Sequence, residues 1–255
     1  MNRRFVKMME DNKKITAAVL TVGDPDIAGT LNFARGLLGS SISMLQFRIP
    51  FSDSVTDPAL QRADARALSA GVTTDKIFTA LKELRSISDK PLALEIYANM
   101  ICTYGKERFF DDCVAAGVDG VIVVDLPYEE RDEVSSLCSS RDIALVPLLV
   151  PASAKRICSI AAAAEGYIYL LPVKVSDCRK DCLHSVEEIT AEVHRVSTVP
   201  VLVATGAATD EEVCALIQQA DGVALGREIA LLTERFGASA TEKIVDYCSK
   251  FSDMA

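Results

Sequence analysis

Short runs of apolar, often β-branched residues recur along the chain, and longer segments with apolar positions at helical spacing separate them. This alternation is typical of a parallel sheet built from strand–helix units. The eight runs that we predict as strands are residues 15–21, 44–49, 92–97, 120–124, 144–149, 167–171, 200–204 and 222–225. The helical segments between them include residues 59–70, 74–87, 106–116, 152–163, 185–196 and 210–219. Because eight such units can close into a ring, the pattern predicts an α/β fold, a (β/α)8 TIM barrel.

The chain has 255 residues, an ordinary length for one such barrel, and no Gly-, Ser- or Pro-rich linker divides it. We therefore predict a single TIM-barrel domain over residues 1–255, with an extra helical segment before the first strand. No apolar run approaches the roughly 20 residues that a membrane span needs. Residues 1–12 carry mixed charges and lack the apolar stretch of a secretory signal. We expect a cytoplasmic protein that does not bind membranes.

Charge and cysteine usage exclude further classes of function. The net charge is −9, and no basic stripe interleaved with aromatic residues is present, so we expect no nucleic-acid partner. The eight cysteines are scattered singly over a core-rich chain, which favours free thiols over disulfides. Only Cys178, Cys182 and His184 suggest a metal ligand set, and no second ligand pair follows at zinc spacing. We expect no metal site.

In a barrel of this kind, chemistry lies at the carboxyl ends of the strands, in the loops that follow them. The motifs at those ends are, in chain order, Thr21-Val22-Gly23-Asp24-Pro25, Pro50-Phe51-Ser52-Asp53 with Asp57-Pro58, Tyr97-Ala98-Asn99 and Asp125-Leu126-Pro127. With Gly117-Val118-Asp119-Gly120 and Gly166-Tyr167-Ile168-Tyr169-Leu170, they form an ordered set. This set resembles the tryptophan synthase alpha subunit family from about residue 5 to the end of the chain.

The resemblance implies a retro-aldol cleavage of indole-3-glycerol phosphate to indole and glyceraldehyde 3-phosphate. It also implies a partner, the pyridoxal-phosphate-dependent beta subunit, which joins indole to serine within an α2β2 complex. The alpha subunit itself carries no cofactor. The cleavage needs one carboxyl group that moves a proton at the released indole carbon and a second that polarises the ring nitrogen and the glycerol hydroxyl.

The first of these carboxyl groups is missing from this chain. The family pattern has Glu where this chain has Gln46, and an amide cannot take up or release a proton near neutral pH. Asp57 matches the second carboxylate, but the Gly that usually follows it is absent. Asp57 therefore directly precedes Pro58, which predicts an extended backbone and a re-aimed side chain.

Two further substitutions fall on the same inward face of the predicted strands. Arg48 stands where the family has a Gly that leaves room for the indole ring, and Glu95 stands where the family has an apolar residue. We predict that Arg48 and Glu95 form an ion pair that fills the substrate pocket, since either charge alone would be costly there. The alternative is that Glu95 is a relocated catalytic acid. Tyr97 and Tyr169 are expected to line the same pocket.

The phosphate site is also altered. The family holds phosphate on Gly-rich backbone after strands seven and eight, and this chain retains Gly206 and Gly226 there. Arg227 replaces a small Ser, and it either binds an anion or is a surface residue at a helix start. The sixth loop, residues 172–178, lacks the Thr and glycines of the family's lid, which indicates that it cannot close over substrate.

The residues that the resemblance places against the beta subunit are retained. They are Pro50, Phe51, Ser52, Asp53 and Asn99. A purely structural role is the alternative, in which residues 50–53 fix their loop and Asn99 caps a helix. We predict a non-catalytic or nearly inactive alpha subunit that binds and allosterically activates the beta subunit. The alternatives are an active lyase that uses Asp57 with Gln46 or Glu95, and a barrel that acts on a different small phosphate ester.

Overall fold

The computed structural model describes residues 2–171 and 182–252. Within these residues one sheet of nine parallel strands forms, in the order β5-β4-β3-β2-β1-β9-β8-β7-β6. The strands are β1 (Ile15–Thr21), β2 (Met44–Arg48), β3 (Leu92–Ile96), β4 (Gly120–Val123), β5 (Ala144–Leu145), β6 (Leu148–Leu149), β7 (Ile168–Leu170), β8 (Val201–Ala204) and β9 (Gly222–Leu225). Seven of the predicted runs correspond to single strands.

The predicted fifth strand is the exception, because residues 144–149 form the two short strands β5 and β6. Pro147 lies between them and has no N–H to donate to a neighbouring strand. The Val146 N–H donates to Val121 O at 2.9 Å, and the Tyr169 N–H donates to Pro147 O at 3.0 Å. One segment thus bonds to β4 on one side and to β7 on the other. The sheet closes through it, and the predicted (β/α)8 barrel is confirmed.

Helices surround this barrel. Those of the described residues are α1 (Arg3–Asp11), α2 (Ile27–Leu38), α3 (Pro58–Ser69), α4 (Thr74–Arg85), α5 (Ala98–Tyr104), α6 (Lys106–Ala115), α7 (Asp132–Ser139), α8 (Ala154–Ala161), α9 (Val186–His194), α10 (Asp210–Gln219), α11 (Arg227–Phe236) and α12 (Thr241–Ser252). Capping boxes at Ser185 and Thr209 satisfy orphan amides at the starts of α9 and α10. Across the described ranges, no helix is long and apolar enough to cross a membrane.

Helix α1 is the extra N-terminal segment, and it covers the amino ends of the strands. Phe5 is fully buried, and its ring contacts Tyr167 edge-on with centroids 5.8 Å apart. Arg4 donates to the buried carboxylate of Asp119 at 3.1 Å, and Arg85 donates to the same carboxylate at 2.6 Å. Helix α1 thus covers the amino ends of the strands, and the candidate residues lie at the opposite, carboxyl ends.

Candidate functional site

The register of the first three strands aligns the candidate residues inside the barrel. Thr21 of β1 pairs with Arg48 of β2, and Arg48 pairs with Glu95 of β3. Gln46 lies two residues before Arg48 and therefore points to the same interior face. The structure thus brings Gln46, Arg48 and Glu95 together, as the sequence predicted.

Gln46 is fully buried, and both ends of its amide are engaged. Its Oε1 accepts a hydrogen bond from the Tyr167 hydroxyl at 2.8 Å, and its Nε2 donates to Glu95 Oε2 at 2.8 Å. Burial raises the pKa of Tyr167 well above its ordinary value, so this phenol remains a hydrogen-bond donor. The position that the family resemblance assigns to a catalytic acid is occupied by a neutral group that supports a neighbouring carboxylate.

Arg48 and Glu95 form the predicted ion pair, with Arg48 Nε 3.0 Å from Glu95 Oε1. The Arg48 side chain is only 4% exposed, and it also donates to Thr21 Oγ1 at 3.0 Å. Burial acts to lower the pKa of Arg48, but Glu95 and Asp64 more than offset this effect, so the net pKa is raised. Arg48 is therefore a permanent cation inside the barrel.

Asp64 is the member of this network that the sequence analysis missed. It lies on α3 and is 2% exposed, and its two carboxylate oxygens accept from Arg48 Nη1 at 3.4 Å and Nη2 at 3.2 Å. Ser54 Oγ also donates to it at 2.6 Å. Burial raises the pKa of Asp64, and the opposing effects of Arg48 and Ser54 only partly offset it, so the net pKa is raised. The one signal in the sequence is the series Ala59, Ala63 and Ala67 on the same helix, because small buried residues let a helix approach the barrel closely.

Two tyrosines line the space above this network. Tyr97 is 7% exposed, its hydroxyl accepts from the Val55 N–H at 2.8 Å, and its ring lies 4.8 Å from that of Phe51. Tyr169 is also 7% exposed. Burial raises the pKa of both phenols, and the Glu95 carboxylate adds to the effect at Tyr169. Both tyrosines are therefore neutral near pH 7 and offer hydroxyl groups, not charges, to the pocket.

Asp57 is engaged twice at the rim of the barrel. Its Oδ1 accepts from the Ala59 N–H at 2.8 Å and caps α3, and its Oδ2 accepts from Arg227 Nε at 3.2 Å. Its backbone is extended, with φ −55° and ψ 140°, as Pro58 predicted. Arg227 is the first residue of α11, and its side chain is 31% exposed and pairs with Asp57 through Nε. Its role as an anion ligand stays a prediction.

A cavity of about 270 Å³ opens above these groups at the carboxyl ends of the strands. Arg48, Glu95, Tyr97 and Tyr169 line it on one side; Gly206, Gly226, Arg227 and Asp57 line it on the other; and apolar residues such as Val19, Leu60 and Leu148 complete the wall. The predicted phosphate-binding residues thus share one cavity with the predicted substrate-pocket residues. The predicted Arg48–Glu95 ion pair is present, and the cavity lies beside it. That the pair occupies the site of the indole ring stays a prediction.

The residues predicted to contact a partner lie at this same end of the barrel. Ser52, Asp53 and Asn99 are exposed and Phe51 is half-buried, whereas Pro50 is buried. Asn99 is the second residue of α5 and does not cap it, so that alternative role is wrong. The Ala98 N–H is satisfied by Asp125 Oδ1 at 2.7 Å. This end of the barrel therefore exposes both polar side chains and the apolar side chain of Val55, which is 85% exposed.

Two predictions concern regions that the structure describes only in part. The sixth loop, residues 172–178, and Cys178 lie outside the described residues. Where the chain is described, no group of three or more His, Cys, Asp or Glu side chains could hold a metal ion.

Comparisons with known proteins extend over nearly the whole chain. A family model described as "Tryptophan synthase alpha chain" matches residues 5–254. The tryptophan synthase alpha chain of Geobacter sulfurreducens is 36% identical over 238 residues, which cover 92% of this chain and 90% of the relative. The crystal structure of the Legionella pneumophila alpha chain superposes with a TM-score of 0.85 at 29% identity, covering 100% of this chain and 97% of that one. A structure described as the basis of mutual activation of the tryptophan synthase α2β2 complex from Pyrococcus furiosus superposes with a TM-score of 0.82 at 28% identity, covering 94% and 97%.

Proposed function

The chain belongs to the tryptophan synthase alpha chain family, and from that premise we propose that it serves tryptophan biosynthesis as an activating subunit. It binds the pyridoxal-phosphate-dependent beta subunit in an α2β2 complex and stimulates the synthesis of tryptophan from indole and serine. It cleaves indole-3-glycerol phosphate slowly or not at all. The beta subunit then receives its indole from another source.

The observation that carries this proposal is the state of Gln46. A general acid or base must gain and lose a proton near the working pH, and an amide does neither. Gln46 is fully buried, accepts from Tyr167 and donates to Glu95. The amide therefore serves as a hydrogen-bonding support for its neighbours and cannot supply the proton transfer that the cleavage needs.

The remaining acids of the cavity are poor substitutes. Among the lining residues that the structure describes, the carboxylates are Glu95 and Asp57. Glu95 accepts a hydrogen bond from Arg48 on one oxygen and from Gln46 on the other, so both of its oxygens are already engaged inside the barrel. Asp57 is held by a helix cap and by Arg227. Neither residue is arranged to donate a proton.

Activation of a partner does not require a general acid or base in this chain. It requires only that the chain bind one conformation of the partner more tightly than another. The exposed Ser52, Asp53 and Asn99 lie on two loops at one end of the barrel, as a docking face requires. The Pyrococcus furiosus assembly, described as mutually activating, contains a chain with this fold.

An active lyase is the second candidate, and the open cavity favours it. About 270 Å³ beside Glu95 and Asp57 leaves room for a ligand. Two assays separate the candidates. Titrating a beta subunit with this chain in indole and serine should increase tryptophan formation to a plateau, whereas a flat response would remove the activating role. Incubating the same complex with indole-3-glycerol phosphate should release no indole above background, whereas steady release would favour the lyase.

A further inference from the structure

The loop between β2 and α3 is held from inside the barrel. Residues 51–57 of this loop expose Ser52, Asp53 and Val55, whose side chain is 85% exposed. Between them Ser54 turns inward and is 9% exposed. The residue that binds the buried Ser54 hydroxyl therefore orients this otherwise exposed loop.

Ser54 is bound by α3 through both its side chain and its backbone. Its Oγ donates to Asp64 at 2.6 Å, and its carbonyl accepts from Gln61 Nε2 at 3.1 Å. The next residue is fixed as well, because the Val55 N–H donates to the Tyr97 hydroxyl at 2.8 Å. The positions of Asp64 and Tyr97 therefore determine the conformation of the loop tip.

Asp64 is in turn fixed by charge. Its oxygens receive hydrogen bonds from Arg48 and Ser54, and each of these contacts favours the ionised carboxylate. Arg48 is held on its other side by Glu95 at 3.0 Å. Glu95 lines the cavity, so the contacts Glu95–Arg48–Asp64–Ser54 run without a break from the cavity wall to the loop.

We propose that Asp64 is a positioning residue for the docking loop. It is 2% exposed and cannot touch a partner. By binding Ser54, Asp64 orients the neighbouring Ser52, Asp53 and Val55. Asp64 is itself held by Arg48, which Glu95 binds on its other side. This inference rests on the proposed function, since it assigns the loop to the beta subunit. A buried ion pair that adds little net stability can still select one loop conformation.

The test compares three substitutions in the full-length chain. Asp64→Asn weakens both contacts, and Ser54→Ala removes the hydroxyl while leaving the Arg48–Asp64 pair intact. Asp119→Asn is the matched control, because Asp119 is also buried and bonded to arginines but lies at the opposite end of the barrel. Each variant is titrated into a beta subunit in indole and serine. We expect Asp64→Asn and Ser54→Ala to raise the half-saturating concentration about threefold to tenfold, the effect of one lost hydrogen bond, and Asp119→Asn to leave it unchanged.

Amide hydrogen exchange supplies a readout that does not need the partner. Both loop variants should accelerate exchange at the Val55 amide, while Asp119→Asn should not. Parent-like titrations of both loop variants, or an equal effect of Asp119→Asn, would overturn the role of Asp64. If the parent chain itself failed to stimulate, the proposed function alone would fail. The amide exchange rate at Val55 would then still test whether Asp64 positions the loop. Unchanged rates in both loop variants would refute that role.

Discussion

Gln46 Nε2 donates to Glu95 Oε2 at 2.8 Å, so the amide of Gln46 contacts a carboxyl group on the neighbouring strand. The contact stabilises the carboxylate of Glu95, which also binds Arg48. A carboxylate at position 46 would face Glu95 across the same short distance. The neutral amide at position 46 and the charge at position 95 are therefore compatible, whereas two carboxylates would repel each other.

Gln46→Glu tests that dependence through stability. The introduced carboxyl group would be buried beside Glu95, so its folded-state pKa should rise above the unfolded value of about 4.3. A raised pKa means that the folded chain binds this proton more tightly, and stability is lost as the pH rises through that pKa. We expect a cost of about 1–3 kcal/mol at pH 7 that shrinks towards pH 5. Urea unfolding of parent and variant at both pH values measures it, and a pH-independent difference would contradict the repulsion.

Arg48 should contribute more than Glu95 to the free energy of unfolding. Removing Arg48 leaves two buried carboxylates without their cation, whereas removing the charge of Glu95 leaves Arg48 paired with Asp64. We expect Arg48→Met to cost about 3–5 kcal/mol and Glu95→Gln clearly less. Guanidinium unfolding of the two variants gives the comparison. Equal costs would show that Asp64 does not share the charge of Arg48.

Asp57 combines a helix cap with an ion pair, and two substitutions separate these roles. Asp57→Asn keeps a capping side chain and loses the charge facing Arg227, and this half-buried, partly solvated pair should be worth about 1 kcal/mol or less. Asp57→Ala loses both contacts and should cost about 1 kcal/mol more. Thermal unfolding in low and high salt measures the difference. An Asn variant as unstable as the Ala variant would contradict the capping role.

The sequence predicted most of the barrel because its signals are local. Apolar runs define the strands, and the capping boxes at Ser185 and Thr209 define helix starts to within a residue. The break in the fifth strand was not predicted, although Pro147 lies there and a proline cannot donate to the ladder. The alternation along β2 and β3 placed Arg48 and Glu95 on one face, so their pairing was also predictable.

The contacts that the sequence did not predict join distant segments. Asp64 meets Arg48 because α3 packs closely against the barrel, and the small residues Ala59, Ala63 and Ala67 indicate a close approach without naming the partner. Asp57 meets Arg227 across 170 positions of the chain. The free volume above the Arg48–Glu95 pair depends on how the two side chains lie, which periodicity cannot specify. For these reasons the fold was easier to predict than the state of the pocket.

The central claim is that this barrel activates a partner without performing the cleavage itself. The most direct measurement is a single-turnover experiment, with the complex of this chain and a beta subunit in excess over indole-3-glycerol phosphate and serine present. We predict no tryptophan from indole-3-glycerol phosphate, and rapid tryptophan formation when indole is supplied to the same complex. Stoichiometric conversion of indole-3-glycerol phosphate would contradict the account.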